Sequence, residues 1–433
     1  MKTDDSGHGP TWIVSQIGAR EHYAIPRALH RSGRLDSLYT DFWAGPLWRA
    51  AGRMLGRSSL AGRYHPELAG AQVKGFNVSA LLSSRGGNPY DRFLTIGRDF
   101  GNRVRAALEI RKEVDWSKTV FFGYDTGFFE PGRWVRERGG STIVCQMDPS
   151  RFEVDLVREE EKRWPGWAKH PLEIPEAYFQ RREQEWAAAD IVMVNSEWTK
   201  AALIQQGVPE SKIATVPLVY EENVETGNLT TGAEGCAGKT AKGSPKGDMS
   251  GSEGIKAEDF STLPNTPLRV LFLGQVNLRK GIQYLIESAG LVDPKKVVFD
   301  IVGSIQVADD KLAAAPTNVR FHGPVSRADA VSHYRNADVF VLPTISDGFA
   351  ITQLEAMSHG LPVITTPNCG EVVTAGSDGF LVPARDPSTL AGAFLSLSDD
   401  RDRLRAMSAA ALTKSLQFTG DRLAAALTAL VQH

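Results

Sequence analysis

The chain is poor in cysteine, in charge of one sign and in long apolar runs. Its 433 residues hold three cysteines, Cys145, Cys236 and Cys369, far apart and without a Cys-x-x-Cys pair. An odd, sparse set argues against a disulfide framework or a zinc site and suits a reducing compartment such as the cytoplasm. Lys and Arg number 49 against 51 Asp and Glu, a net charge of −2, so charge balance alone suggests no nucleic-acid partner. No apolar run approaches the ~18 residues of a membrane-spanning helix. The first residues are polar, so a secretory leader is not expected. No cluster of metal-ligating residues stands out, and no metal is expected.

What remains is a soluble-type composition, 42% apolar and 23% charged, in a chain comfortable for two domains. Trp12 to Ile17 reads as a strand, Gly18 to Glu21 as a turn, and His22 to Ser32 as a helix ended by Gly33. That is the β–turn–α opening of a doubly wound sheet. Further strands are expected at Thr119–Phe122, Thr142–Cys145, Ile191–Val194 and Ile213–Pro217, with helices over Phe93–Val114, Ala177–Ala189 and Glu197–Gln206. From 223 to 266 the chain turns to Gly, Ser, Thr and Lys with almost no large apolar residue, the composition of a flexible linker or insertion. A second α/β series then begins, with strands expected at Arg269–Leu273, Val297–Val302, Val319–Phe321, Asp338–Leu342, Leu361–Thr366 and Gly379–Val382. The tail from Arg401 to Val431 reads as helical.

The segment from Val339 to Thr366 is the most informative. An apolar strand is closed by Pro343, a polar loop runs to Gly348, and Ile351 to Met357 suits a helix that Gly360 stops and Pro362 cannot continue. Asp347 lies in the loop and Glu355 about two turns into the helix. The spacing points both carboxylates into one cleft, with free backbone amides between them. Carboxylates suit sugar hydroxyls, and amides suit a diphosphate.

The text Asp347-Gly348-Phe349-Ala350-Ile351…Glu355-Ala356-Met357-Ser358-His359-Gly360-Leu361-Pro362-Val363 resembles the group-1 (family 4) retaining glycosyltransferases, whose motif is Glu-x7-Glu in the same context. The first acid here is Asp. The resemblance implies an α/β chain of GT-B fold, two Rossmann-like domains facing each other across a cleft. It implies an N-terminal acceptor domain over 1–222, the linker over 223–266, and a donor domain over 267–410. The C-terminal helix in 411–433 would then pack back on the first domain. It also implies a sugar moved from a UDP-, GDP- or similar nucleotide-sugar, with no cofactor and no metal, to a glycan or lipid-linked acceptor in cell-surface polysaccharide assembly.

A second motif, Phe272-Leu273-Gly274-Gln275-Val276-Asn277-Leu278-Arg279-Lys280-Gly281, follows a strand and opens a helix. Gly274 lets backbone approach a ligand. Arg279 and Lys280 place cations where a leaving diphosphate gains charge. Lys280 matches the family lysine, the family arginine falls on the neutral Gln275, and Arg279 is expected to supply the missing charge. By the same resemblance Asp347 contacts the donor sugar, the amides of Phe349, Ala350 and Ile351 meet its oxygens, and Glu355 binds the ribose. Gly18, Gly303, His322 and Val325 line the donor side, with His322 more simply read as structural. Arg20 and His22 are further candidates for the cleft. Where many members carry a His, this chain has Gln146, Met147 and Asp148, and Asp148 reads equally as a base and as an Asp-Pro turn. Glu153, Glu159, Glu160 and Glu161 read as a solvated helix face, and Asn195-Ser196 as a helix cap. The Arg-rich 27–63 stretch reads more simply as solvated surface, and otherwise as a peripheral contact with the inner membrane face. The alternatives are another GT-B enzyme, such as a nucleotide-sugar epimerase or a phosphorylase, and a non-catalytic sugar-nucleotide-binding assembly protein.

Overall fold

The computed structural model describes residues 9–45, 63–77, 88–171, 173–221 and 266–431. The expected linker (apart from Thr266) and Arg49, Arg53 and Arg57 lie outside the described residues.

The first series runs β1 (Thr11–Gln16), α1 (Ala24–Arg31), β2 (Leu35–Thr40), β3 (Val73–Gly75), α2 (Pro89–Glu109), β4 (Thr119–Tyr124), α3 (Phe129–Arg136) and β5 (Ser141–Gln146). It continues with α4 (Arg151–Arg163), α5 (Glu176–Ala188), β6 (Ile191–Val194), α6 (Glu197–Gln205) and β7 (Ile213–Thr215). Its strands form one seven-stranded sheet in the order β3-β2-β1-β4-β5-β6-β7, every pairing parallel.

The second series runs β8 (Leu268–Leu273), α7 (Ile282–Gly290), β9 (Val297–Val302), α8 (Asp309–Ala313), β10 (Val319–Gly323), α9 (Arg327–Arg335) and β11 (Val339–Leu342). It continues with α10 (Thr352–Ser358), β12 (Val363–Thr365), β13 (Gly379–Leu381), α11 (Pro387–Asp399), α12 (Arg401–Ser415) and α13 (Gly420–Ala429). The six strands are again all parallel, in the order β10-β9-β8-β11-β12-β13. Each sheet reverses its winding beside its first strand, between β1 and β4 and between β8 and β11. In such sheets the crevice outside the carboxyl ends at that reversal holds the ligand.

Continuous apolar runs make these central strands. Trp12, Ile13 and Val14 are fully buried, as are Val339 to Leu342, because helices cover both faces. Side-chain caps set several helix starts. Asn88 accepts from the Tyr90 amide ahead of Pro89, and Ser196 accepts from the Thr199 amide. Two differences from expectation have local causes. β2 was not expected because LDSLYT interrupts its apolar residues with Asp36 and Ser37, whose oxygens Arg111 binds. The helix expected over Phe93–Val114 starts at Pro89 and ends at Glu109.

Helix α13 leaves the second sheet and lies on α1. Leu423 and Leu427 are buried in one apolar cluster with Tyr23, Ala24 and Leu29. Glu221 ties the crossing together, accepting from the Gly420 amide at 2.9 Å and from Arg31 at 2.9 Å. A second tie is α4, which belongs to the first series but docks on the second. Its Glu160 is wholly buried and accepts from Arg385 Nε at 2.6 Å, Tyr284 Oη at 2.7 Å and Gln283 Nε2 at 3.0 Å. The reading of the 153–161 carboxylates as a solvated face is therefore corrected at Glu160. No helix of the described residues is long and apolar enough to cross a membrane.

Candidate active site

Three strand ends of the second sheet meet at backbone contact. A Cβ on Gly303 would fall 1.7 Å from the Gly274 carbonyl oxygen, and one on Gly281 would fall 1.8 Å from that of Pro343. Only glycine permits these approaches, and Gly281 also has φ +73°. Asn277 caps the short turn Leu278–Lys280 by accepting from the Lys280 amide at 3.1 Å. The turn thereby presents two adjacent cations to the β11 loop. The Lys280 ammonium binds Asp347 Oδ2. Arg279 Nη1 donates to the Ser346 carbonyl at 3.2 Å and lies 3.4 Å from Asp347 Oδ2 and 3.6 Å from Glu153 Oε2. Burial alone would raise the Asp347 pKa, but Lys280 and Arg279 reverse that and hold the carboxyl down at about 2.

Asp347 Oδ1 accepts from the Ala350 amide at 3.1 Å, so that amide is occupied rather than free as expected. Ala350 has φ +60°. His22, Thr126 and Ser150 are also left-handed, and each follows the carboxyl end of a strand of the first sheet. Such strain in residues with a Cβ costs energy and gathers where a ligand site is shaped.

Glu355 stands apart from this cluster. Its Oε2 accepts from Tyr334 Oη at 2.9 Å and its Oε1 lies 3.5 Å from Arg327. The Arg327 guanidinium also lies against the His22 imidazole of the first domain. Burial, then Arg327, pushes the His22 pKa down to about 4. The two acids thus serve different neighbours. A cavity of about 520 Å³ between the domains is lined by Asp347 and Gly348 but not by Glu355. Glu355 thus faces the first domain at the Arg327–His22 contact, outside this cavity.

The cavity draws its other walls from both domains and includes Gln275 and Arg279. Asp148 also lines it, gripped by Arg182 at 2.7 and 2.9 Å and by the Ser150 amide at 2.8 Å. Burial opposes ionisation, but Arg182 outweighs it and holds the Asp148 carboxyl below the usual range. That opposes a role as base. Gly348 backs onto the other domain: a Cβ there would stand 1.8 Å from the Met147 carbonyl oxygen.

The remaining candidates sit around the rim. Gly18, φ +86°, donates its amide to Asp41 Oδ1 at 2.8 Å. Arg20 lies over the Tyr124 ring and 3.8 Å from Asp125. His322 Nε2 pairs with Asp300 Oδ1 at 2.6 Å on the edge strand β10, away from the cavity, and Val325 packs on the second core. Phe349 is buried and Ile351 half-buried. Arg27 is buried between Glu67 and Glu221, Arg31 pairs with Glu221, and Arg63 pairs with Asp41. Arg27 and Arg63 are engaged within the domain, which corrects their reading as solvated surface, whereas Arg31 is exposed as that reading has it.

Sequence reasoning missed Ser150, Tyr90, Tyr178 and Arg182, and its reading of Glu153 as solvated is corrected; all five are in the cavity wall. Glu153 is turned inward and accepts from Ser346 Oγ at 2.9 Å. Burial, with Arg279 opposing and Asp148 and Asp347 reinforcing, raises its pKa to about 7. A signal was present. Val154 and Val157 sit at helical spacing, and the same stripe runs on to Glu160 and Glu161, which sets these acids beside an apolar face.

Two facing, doubly wound parallel sheets with a C-terminal helix returning to the first define a GT-B fold. Residues 267–400 match the family model described as "Glycosyl transferases group 1", so the C-terminal half carries a group 1 glycosyltransferase domain. The chain is 33% identical over 170 residues to a D-inositol 3-phosphate glycosyltransferase of Paenarthrobacter aurescens (strain TC1), covering 36% of this chain and 41% of that protein. It is 38% identical over 104 residues to the lipopolysaccharide core biosynthesis mannosyltransferase LpsB of Rhizobium meliloti (strain 1021), covering 23% of this chain and 30% of that one. The matched stretch thus spans well under half the length of these relatives. Over nearly the whole chain, the fold is that of sucrose-phosphate synthase from Thermosynechococcus elongatus, with TM-score 0.62, 16% identity, and 97% and 98% of the two chains covered. It is also that of Anabaena HepE in complex with UDP, with TM-score 0.59, 12% identity, and 97% and 99% covered.

Proposed function

We propose that the protein is a retaining glycosyltransferase that moves a sugar from a nucleotide-sugar to a hydroxyl acceptor without a metal ion. The Lys280–Asp347–Arg279 cluster at the winding reversal of the second sheet carries this reading. In the ligand-free molecule Asp347 keeps the two cations. A donor diphosphate brings more negative charge than one carboxylate and takes over Lys280 and Arg279, which frees Asp347 to accept from hydroxyls of the donor sugar. As the glycosidic bond breaks, the leaving diphosphate gains charge against cations already in place, so little reorganisation is needed at the barrier. In this reading Glu355, held by Tyr334, binds the donor ribose, and its position near the first domain supports that role. UDP in the HepE complex and the glycosyltransferase names of the relatives support a nucleotide-sugar donor. The LpsB name supports an acceptor in cell-surface glycan assembly. Nucleotide-sugars are cytoplasmic, and the reading places the protein there, with peripheral membrane contact if the acceptor is lipid-linked.

The test is thermal stabilisation by UDP, GDP, ADP and dTDP in metal-free buffer, with Glu355→Ala alongside. The reading expects one nucleotide to stabilise the parent and to lose that effect in the variant. Equal stabilisation of both proteins contradicts it. Retention is read from the anomeric configuration of the product by proton NMR.

A further inference from the structure

The cavity between the domains has a charge pattern that selects among acceptors. Its described lining holds four carboxylates, Asp148, Glu153, Glu161 and Asp347, against two guanidiniums. Both guanidiniums are engaged. Arg182 binds Asp148, Asp125 Oδ2 at 2.7 Å and Tyr178 Oη at 2.7 Å, and Arg279 faces Asp347 and Glu153. His170 is the other basic side chain among the described lining residues. Once a donor diphosphate holds Lys280 and Arg279, a second phosphate entering here would face that diphosphate and the acids of the wall, with Arg182 already bound to Asp148 and Asp125, and like charges repel in a poorly solvated site. A neutral polyol meets the opposite situation. Its hydroxyls donate to carboxylates and accept from amide and phenol groups, and Gln275, Asn277, Gln306 and Tyr90 supply those. Ser150 Oγ is buried in this wall with no hydrogen-bond partner among the described residues.

Glu153 is the acid of this wall that lies beside the Arg279–Asp347 cluster. Its Oε2 is held by Ser346 Oγ, which in turn accepts from Trp198 Nε1 at 3.0 Å. Ser346 adjoins Asp347, so the Glu153 carboxyl sits one residue from the group assigned to the donor sugar. Burial and two neighbouring acids keep it poised near neutrality, as described above.

We infer that this cavity is the acceptor site, that it takes an uncharged, hydroxyl-rich acceptor in preference to a phosphorylated one, and that Glu153 orients the attacking hydroxyl. The inference rests on the donor reading given above. In the transfer the bond from the anomeric carbon to the diphosphate oxygen breaks, its electron pair leaving with that oxygen. A bond from the anomeric carbon to the acceptor oxygen forms, and the acceptor proton ends on the departing diphosphate. Glu153 accepts the hydroxyl's hydrogen bond and fixes its direction.

The experiment uses the full chain loaded with the nucleotide diphosphate that stabilises it. Ligand-observed NMR compares neutral rings, myo-inositol and the methyl glycosides of glucose, galactose and mannose, with myo-inositol 3-phosphate and glucose 6-phosphate. The expected result is binding of at least one neutral ring, with its phosphorylated counterpart about tenfold weaker or worse. With the matching nucleotide-sugar, Glu153→Gln should lower acceptor kcat/KM about tenfold or more, with nucleotide stabilisation unchanged and partial recovery in Glu153→Asp. Tighter binding of a phosphorylated ring, or no binding of either kind to the nucleotide-loaded protein, overturns the inference and leaves the donor reading standing. Failure of every nucleotide to bind is the distinct result that removes the donor reading, and this inference with it. A Glu153→Gln enzyme with parental acceptor kinetics overturns the role of Glu153.

Discussion

Glu160 of the first domain and Arg385 of the second form an ion pair at 2.6 Å in which the Glu160 side chain is fully buried. Tyr284 and the buried Gln283 complete its shell. Glu160→Ala leaves three polar groups without their acceptor, and the expected loss is about 3 kcal/mol in urea unfolding. Arg385 is partly exposed, so part of its loss is made good by water. Glu160→Gln keeps one acceptor oxygen for Arg385 but turns its amide nitrogen toward Tyr284 and Gln283, and should cost about 1–2 kcal/mol, less than Ala. An Ala variant as stable as the parent would show that α4 does not hold the domains together.

Gly348 fixes how closely the domains approach at the site. A Cβ there would stand 1.8 Å from Met147 O, so Gly348→Ala must push the two walls apart on the order of an ångström. A shift of that size at a reacting centre costs about a hundredfold in rate. The expected outcome in a transfer assay is a fall in kcat of that order, with nucleotide stabilisation retained, because Glu355 lies on a separate wall.

Stability should fall as pH rises through the neutral range. Glu153 and Glu21 both have folded pKa values of about 7 against 4.5 for the free group, each raised chiefly by burial. Between those values the folded chain binds more protons than the unfolded chain. The contribution is whole below about 4.5, declines as pH rises, and is gone above about 7. Glu153→Gln should remove on the order of 2 kcal/mol of the decline between pH 5 and 8. Glu21 and Glu185, raised to about 7 and about 8, leave a residual slope of the same sign, which His22, held down at about 4, opposes below about pH 6.5; denaturant titrations at the two pH values measure the parent and the variant.

Much of the fold was legible because central parallel strands are apolar on both faces, as in Val339–Leu342 and Trp12–Val14. β2 was not, because its acids are satisfied by Arg111, seventy-odd positions away in sequence. At the site, Asp347, Lys280 and Arg279 were legible as a motif, but the sequence does not show that they pair with one another before any donor arrives. Glu355 was legible as a residue, but its partners Tyr334 and Arg327 were not, since they come from α9. Glu153 and Glu160 were misread because a charged helix ordinarily faces water. Only the other domain, folded against α4, turns that face inward.

Helix α13 joins the domains by apolar contact. Leu427 is fully buried against the α1 cluster, so Leu427→Ala should cost about 3 kcal/mol. Thermal unfolding followed by calorimetry checks this, and a change within a few tenths of a kcal/mol would mean that the helix is not anchored there.

The most direct test of the central claim is nucleotide diphosphate release from a panel of nucleotide-sugars, with parent and Lys280→Ala compared at equal folding by circular dichroism. The account predicts turnover of one nucleotide class by the parent and a loss of about 10²–10³ in kcat in the variant, since a fixed cation facing the developing charge is removed. Turnover at the parental rate in Lys280→Ala, or a parent that consumes none of the donors, would contradict it.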